Sequence, residues 1–267
     1  MLKTFKNTED GILVRLLKWI ALRILPTSVC NWLGLLLYGS EYRLSLGSVR
    51  LGNLRRVTPI SRVYGCDRGQ PVDRYYIENY LANCSSDIHG HVLEIADAHY
   101  TKCYGGNRVT KSDVLHVKEG NPEATIVADI SSAHQIPSDT FDCIILTQTL
   151  QFIYDFRAAI ETLFRILKPG GVVLVTFPGI SQRNHEEEKG FGGSWYWSFN
   201  SNSARRLFEE VFPAANVRIE AHGNVLSAIA FLHGLATEEL RQKELDHYDP
   251  NYQVLIAVRA VKPASEG

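Results

Sequence analysis

The sequence predicts an α/β fold with a doubly wound, mostly parallel sheet. The segment Leu163–Phe177 joins a helical face to a buried apolar strand through Lys-Pro-Gly-Gly, where Pro169 cannot continue the helix and the glycines permit a tight reversal. Similar short apolar runs, bounded by polar turns, recur from Val92 to Arg259, as expected for strands of such a sheet. A chain of 267 residues with 45% hydrophobic side chains can bury one large core.

The elements follow in order along the chain. A helix is expected to precede the first strand, because five residues after Pro71 share one apolar face: Tyr76, Ile77, Tyr80, Leu81 and Cys84. Strands are expected at 92–95, 108–113, 126–129, 141–147, 172–177, 217–221 and 252–259. The connections after the first two strands leave little room for helices, so we expect this edge of the sheet to be thinly covered.

The composition limits the classes of partner. The formal net charge is −1 and the sequence contains no basic patch with interleaved aromatic residues, so we expect no nucleic-acid partner. The five cysteines lack the paired spacing of a metal site. We therefore expect no metal, and reduced thiols in a cytoplasmic protein.

The residues around strands three to five resemble those of class I S-adenosylmethionine-dependent methyltransferases. Asp129 ends strand three, Ile-Pro follows, Phe141-Asp opens strand four, and Leu-Lys-Pro-Gly-Gly precedes strand five. The resemblance implies a Rossmann-like, seven-stranded sheet with an antiparallel last strand, S-adenosylmethionine as cofactor and S-adenosylhomocysteine as product. It also implies that Asp129 binds the adenine amino group and that Ile130 covers the ring. An ordinary helix cap is the alternative for Asp129.

The loop after strand one departs from this family. Its members carry Glu-x-Gly-x-Gly-x-Gly, in which glycine lets the backbone approach the methionine half of the cofactor. Here the glycine positions hold Ala96, Ala98 and Tyr100. Tyr100 cannot reproduce glycine and is expected to pack on the ligand instead. Glu94 ends an apolar strand, so we expect its carboxylate to accept hydrogen bonds from the loop amides or from the cofactor's amino group.

Spacing predicts a ligand for the cofactor's ribose. Asp113 ends predicted strand two, 19 positions after Glu94, and an acidic residue about 20 positions on binds the ribose hydroxyls in nucleotide-binding βαβ units. The alternative is an ordinary cap or turn residue. Because Gly-x-Gly-x-x-Gly is absent, a nicotinamide dehydrogenase is disfavoured.

A block before the first strand extends the resemblance. The string Asp67–Glu78, read as Asp-Arg-Gly-x-Pro-x-Asp-Arg-Tyr-Tyr-Ile-Glu, is similar to a methyltransferase-11-like bacterial subgroup found alongside or fused to glycosyltransferases. This implies O-methylation of a saccharide or glycosylated metabolite and a glycosyltransferase partner. Arg74 and Tyr75 are expected near the cofactor, with simple helix packing as the alternative. The predicted cofactor site comprises Tyr75, Glu94, Ala96, Asp97, Ala98, Tyr100, Asp113, Asp129, Ile130 and Thr147.

The acceptor side is expected in a later segment, residues 178–200, whose polar glycine-rich composition is typical of a lid. The predicted acceptor-binding residues are Gln148, Gln151, Trp195, Tyr196 and Trp197. A hydroxyl acceptor benefits from a general base, and the candidates are His185 in the lid and His99 beside the cofactor loop.

The first fifty residues form a separate region in this prediction, with the methyltransferase domain at 51–267. Residues 12–38 are apolar and basic, but Arg15, Lys18 and Arg23 prevent a bilayer crossing. A helix lying in a membrane surface is one interpretation, and a helical extension packed on the domain or on a partner is the other. We accordingly expect a cytoplasmic protein, with peripheral membrane contact as the alternative.

Three functions fit the sequence. The favoured one is a methyltransferase that acts on a saccharide hydroxyl. The second is a catalytically inactive methyltransferase-like module that binds a glycosyltransferase, as the missing glycines would allow. The third is another nucleotide-dependent Rossmann-like enzyme.

Overall fold

The structure is a computed structural model that describes residues 25–39, 42–44, 46–183 and 195–264. The chain divides into two units, residues 1–57 and 58–267. The first unit contains helix α1, Thr27–Tyr38. Most of the predicted membrane-surface helix, residues 12–24, lies outside the described residues. None of the helices in the described ranges combines the length and apolar content that a bilayer crossing requires.

The second unit is built on one seven-stranded sheet in the order β3-β2-β1-β4-β5-β7-β6. Its strands are β1 Gly90–Ile95, β2 Val109–His116, β3 Ile126–Val127, β4 Phe141–Thr147, β5 Leu167–Pro178, β6 Val217–His222 and β7 Leu255–Val261. Strands β1 to β5 pair in parallel, whereas β7 runs antiparallel to both β5 and β6. The predicted sheet, with its antiparallel last strand, is therefore confirmed.

Helices cover both faces of this sheet. They are α2 Val72–Asn83, α3 Phe156–Ile166, α4 Ser201–Glu209, α5 Val225–His233 and α6 Gln242–Leu245. Between β1 and β2 there is only a π-helical turn, Thr101–Gly105, and a short 3₁₀ turn, as the short connection predicts. The apolar face predicted for the helix before β1 is buried.

Two apolar cores form because successive strand residues point to opposite faces. In β4, Ile144 joins the core that contains Phe208 of α4, whereas Ile145 joins the core that contains Ile77 and Leu81 of α2. All of these side chains are fully buried. Each contributes about 1.5–3 kcal/mol through removal of its apolar surface from water, so the two cores fix α2 and α4 against the sheet.

Asn224 fastens α5 to the segment after it. Its side-chain oxygen accepts hydrogen bonds from the amides of Leu226 (2.9 Å) and Ser227 (3.0 Å), which caps the first turn of α5. Its side-chain nitrogen donates to the carbonyls of Glu244 and His247, both at 2.7 Å. Asn224 is buried, and loss of its side chain would remove this donor from both carbonyls.

We expect Asn224→Ala to lower the free energy of unfolding by about 3 kcal/mol. The change removes a helix cap worth about 1 kcal/mol, and it leaves the carbonyls of Glu244 and His247 without their donor, at a cost of about 1–3 kcal/mol. Asn200→Ala is the matched control, because Asn200 also caps a helix, through the Ser203 amide at 2.9 Å, but is exposed. It should cost about 1 kcal/mol. Urea denaturation of both variants measures the difference, and equal losses would contradict a tethering role for Asn224.

Candidate active site

The carboxyl ends of β1, β4 and β5 lie at the same edge of the sheet, which is where open α/β sheets bind ligands. Two residues at this edge adopt left-handed backbone without being glycine: Ala96 after β1, with φ 75°, and Gln148 after β4, with φ 48°. Such a conformation costs roughly 1–2 kcal/mol for an L-residue. Backbone strain of this kind concentrates at functional sites, and here it marks the two strand ends that face the predicted ligand.

A buried carboxylate organises the loop after β1. Glu94 accepts hydrogen bonds from the amides of Tyr100 (3.0 Å) and Thr101 (2.7 Å), one on each oxygen. Burial raises the pKa of the Glu94 carboxyl, and the bonds from Thr101 and Tyr100 oppose that rise. The loop amides are one of the two kinds of partner predicted for Glu94. These bonds draw the start of the π-helical turn back against the end of β1.

Ala96 holds the bend of the loop. Its amide donates to the Leu115 carbonyl at 3.0 Å, and its own carbonyl accepts from Asn121 at 2.6 Å. Asp97, which is exposed, accepts from the His99 amide at 2.8 Å and so stabilises the next turn. The loop thus keeps, at Ala96, the left-handed bend that a glycine would adopt without strain.

His99 is exposed at the start of the π-helical turn. Its Nε2 lies 3.7 Å from the Cys103 sulfur, and its ring packs edge-on against Tyr100. Within the described residues, no carboxylate forms a hydrogen bond with this imidazole to orient it. The other candidate base, His185, lies outside the described residues.

Tyr100 packs inside the protein. Its ring belongs to the α2-side core, and its hydroxyl accepts a hydrogen bond from the Arg74 guanidinium. The sequence-based expectation that its ring packs on the ligand is therefore replaced by a different role: Tyr100 fixes the cationic side chain of Arg74 beside the loop.

Asp73 precedes Arg74 in the first turn of α2. Its Oδ1 atom is buried, and no hydrogen-bond donor reaches that atom from the described parts of the chain. Burial raises the pKa of Asp73, whereas the neighbouring Arg74 charge lowers it. An unsatisfied buried acceptor costs about 1–3 kcal/mol, so this oxygen is suited to a ligand that carries a donor.

Tyr75 faces away from this loop, because adjacent helical residues point about 100° apart. Its hydroxyl lies 2.5 Å from both Asp246 Oδ1 and Gln242 Nε2, on the opposite side of α2 from Tyr100. The prediction that Tyr75 binds the cofactor is not supported by this position. Of Arg74 and Tyr75, only Arg74 reaches the loop.

Asp113 does not end its strand, because β2 continues to His116. Although burial opposes ionisation, bonds from His91, Lys111 and Thr125 hold the pKa of Asp113 below its usual value. The distances are 2.6 Å to His91 Nε2, 3.0 Å to Lys111 Nζ and 2.9 Å to Thr125 Oγ1. Since His91 lies at the beginning of β1, the carboxylate points away from the ligand edge, and its predicted ribose role does not fit.

Asp129 stays exposed after the short strand β3. One carboxylate oxygen accepts from the amide and the hydroxyl of Ser131, at 2.9 and 2.7 Å. This is a local cap of a turn rather than of a helix. Ile130 is buried in the core that contains Ile136. Their adenine-binding roles stay predictions.

The acceptor residues predicted from the sequence gather after β4, whose last residue is Thr147. Gln151 donates through its side chain to the Gln148 carbonyl at 2.8 Å, and its own carbonyl accepts from the Tyr196 amide at 2.9 Å. Three buried polar atoms here lack hydrogen-bond partners within the described residues: Gln148 Nε2, Gln151 Oε1 and Trp195 Nε1. Two unsatisfied donors and one unsatisfied acceptor are suited to bind a hydroxyl group.

Trp197 and Tyr196 of this segment have different roles. The indole nitrogen of Trp197 lies within hydrogen-bond distance of the carbonyls of Ile153 and Tyr154 (3.0 and 3.1 Å), so this ring anchors the segment. Tyr196 is 49% exposed and packs edge-on against Tyr154, which is 71% exposed. Sequence reasoning missed Tyr154, since only the fold brings it beside Tyr196.

A comparison with protein families matches one segment of the chain that includes part of this site. Residues 87–175, about a third of the chain, match the family described as a methyltransferase domain. This match supports the methyltransferase resemblance and, with it, S-adenosylmethionine as the cofactor. No curated protein gives a significant match.

Several solved structures align with this chain at low identity. A Haemonchus contortus phosphoethanolamine N-methyltransferase 2 complex aligns at 16% identity with a TM-score of 0.43, covering 66% of this chain and 49% of that one. The [4+2]-cyclase SpnF aligns at 16% identity with a TM-score of 0.44, and the alignment covers 71% of this chain and 81% of that one. A SAM-dependent methyltransferase from Archaeoglobus fulgidus aligns at 12% identity with a TM-score of 0.45, and the alignment covers 71% of this chain and 90% of that one. This chain thus spans about half of the Haemonchus enzyme.

We expect Ala96→Gly to leave the free energy of unfolding unchanged or to raise it by up to about 1 kcal/mol, because relief of the left-handed strain offsets the entropy of glycine. Ala98→Gly is the matched control: Ala98 is buried and lies outside the left-handed region, so the change should cost about 1 kcal/mol. Chemical denaturation measures both. Equal losses would show that Ala96 carries no strain.

Proposed function

We propose that this chain is an S-adenosylmethionine-dependent methyltransferase that transfers the methyl group to a hydroxyl of a saccharide or a glycosylated metabolite. The observation that carries the proposal is the loop after β1. There Glu94 binds two backbone amides and Ala96 adopts a left-handed bend, within the segment that matches a methyltransferase domain. The loop therefore retains the shape of a glycine loop although its glycines are gone.

The residues beside this loop fit the charged end of the cofactor. The methionine half of S-adenosylmethionine carries a carboxylate and an ammonium group. Arg74 supplies a guanidinium held by Tyr100, which suits the carboxylate. The buried, unsatisfied Asp73 Oδ1 suits the ammonium group. At the other end, exposed Asp129 remains the candidate partner of adenine, and His116, the last residue of β2, replaces Asp113 as the candidate beside the ribose.

The chemistry requires alignment more than activation. When bound, the cofactor supplies an electrophilic methyl group on a sulfonium, and the transfer is an in-line displacement. The protein's task is to orient the acceptor oxygen and to accept its proton. The unsatisfied side-chain atoms of Gln148 and Gln151 would orient the hydroxyl group. His99 and His185 remain the candidates for the base.

The saccharide acceptor and the glycosyltransferase partner rest on the resemblance of the Asp67–Glu78 block. The exposed Tyr154–Tyr196 pair supports the acceptor class, because aromatic faces bind the apolar faces of sugar rings. The alternative is a methyltransferase-like module without catalysis, which would need neither the cofactor nor an acceptor.

Calorimetric titration with S-adenosylmethionine and S-adenosylhomocysteine tests the cofactor site. We expect both to bind the wild-type chain, and Arg74→Met to weaken binding at least about 10-fold, since it removes a charge-assisted bond worth about 1.5–3 kcal/mol. Arg68→Met is the matched control, because Arg68 forms an exposed ion pair with Glu239 at 2.5 Å on the same segment. If the folded wild type binds neither ligand, the inactive module is the better explanation.

We also propose that the first unit contacts a membrane surface. Among its described residues, large apolar side chains stand in solvent, with Trp32 62%, Leu36 68% and Leu37 71% exposed. Residues 25–57 contain four arginines and a single acidic residue, Glu41. Apolar side chains combined with excess positive charge suit an anionic lipid surface.

Vesicle sedimentation tests this contact. The full chain should bind vesicles containing phosphatidylserine more tightly than vesicles of phosphatidylcholine alone, and the double change Leu36→Asp with Leu37→Asp should weaken binding at least about 10-fold, because it removes apolar burial and adds negative charge. Leu226→Asp is the control, since Leu226 is an exposed leucine of the second unit. Equal sedimentation of all variants would refute the proposal.

A further inference from the structure

A cavity lies beside α2, on the face that carries Tyr75 and Asn79. Its volume is about 400 Å³, within the roughly 300–1,000 Å³ range of small-molecule sites. The residues that give it its character are Tyr75, Tyr76, Asn79, His222, Gln242 and Asp246. They come from α2, from the end of β6, and from α6 together with the residue that follows it.

This cavity lies along the same edge of the sheet as the loop at Glu94, but at the β6 end of that edge. His222 ends β6, the outermost strand, and four strand spacings separate β6 from β1 in the sheet. At about 4.8 Å per strand, the separation is roughly 19 Å. The His222 wall is therefore distant from the loop at Glu94, whereas the α2 wall begins at Tyr75, one residue after Arg74.

The polar groups of the cavity are uncharged or already paired. The Tyr75 hydroxyl lies at 2.5 Å from both the Asp246 carboxylate and the Gln242 amide. Asn79 is exposed at the cavity wall. The lining residues include no lysine or arginine, so nothing here favours a phosphate or a carboxylate. Amides and hydroxyls, by contrast, both donate and accept hydrogen bonds, as sugar hydroxyls require of their partners.

A stacked pair of rings forms the apolar part of the wall. Tyr76 and His222 lie 5.7 Å apart with 16° between their planes. The Nε2 atom of His222 is buried and accepts or donates no hydrogen bond within the described residues, and the nearest carboxylate oxygen, Oε2 of Glu220, lies 3.6 Å away. Burial lowers the pKa of His222, with Glu220 opposing. Burial therefore favours the neutral imidazole, and a neutral ring nitrogen can donate to or accept from a hydroxyl.

We propose that this cavity is a saccharide-binding subsite that holds a neutral sugar ring, remote from the methylated atom, through His222, Asn79 and the Tyr75–Gln242 pair. The link to the acceptor rests on the proposed methyltransferase function, whereas sugar binding itself does not. A subsite at this distance would select acceptors longer than a single sugar.

Histidine side-chain NMR of the full chain, without cofactor, tests the subsite. The probes are methyl glucoside, methyl mannoside and methyl rhamnoside at millimolar concentrations. We expect at least one to shift the His222 ring signals in a saturable manner, and His222→Phe and Asn79→Leu each to weaken that sugar's binding at least about 5-fold. Asn202→Leu is the matched control, since Asn202 is an exposed asparagine on α4, away from the cavity.

Two outcomes would overturn the subsite: no saturable shift at His222 with any of the three sugars, or binding that both cavity variants leave unchanged. Titration of the same sample with S-adenosylmethionine separates the two proposals. A chain that binds the cofactor but no sugar retains the proposed function and loses the subsite. A chain that binds a sugar at His222 but not the cofactor retains the subsite and loses methyl transfer.

Discussion

The buried Glu94 carboxylate is the interaction on which the ligand edge depends. Without partners, a charge at the end of an apolar strand would be costly, and its two amide donors come from the first residues of the following turn. This pairing fixes where the turn begins. It thereby sets the position of Tyr100, whose hydroxyl binds Arg74. One carboxylate thus connects β1, the loop and the start of α2.

Helix α2 serves two sides of the molecule because neighbouring residues on a helix point in different directions. Arg74 is directed to the loop at Glu94, whereas Tyr75 is directed to the cavity beside α6. Residues between these faces, such as Ile77, are buried against the sheet. A rigid helix with a buried face is therefore suited to hold two sites at a fixed separation.

Strain and unsatisfied polar atoms occur together at the carboxyl edge. Ala96 and Gln148 carry left-handed backbone, and Gln148, Gln151 and Trp195 leave buried side-chain atoms without partners in the described ranges. The four bonds of the Asn224 side chain, by contrast, show a buried polar group that the protein itself satisfies. This contrast is the physical reason to look for a ligand at the edge, since a bound molecule would supply the missing bonds.

The sequence alone predicted the succession of the strands along the chain, the buried face of α2 and a hydrogen-bonded Glu94, whose partner it left open between the loop amides and the cofactor. These features depend on periodicity and on contacts within a few residues of the chain. The tertiary structure decided the rest of the site. Asp113 pairs with His91 because β2 runs past it beside β1, and Tyr75 meets Asp246 across 171 positions of sequence. Such partners depend on strand length, register and helix rotation, which are fixed only when the whole sheet is assembled.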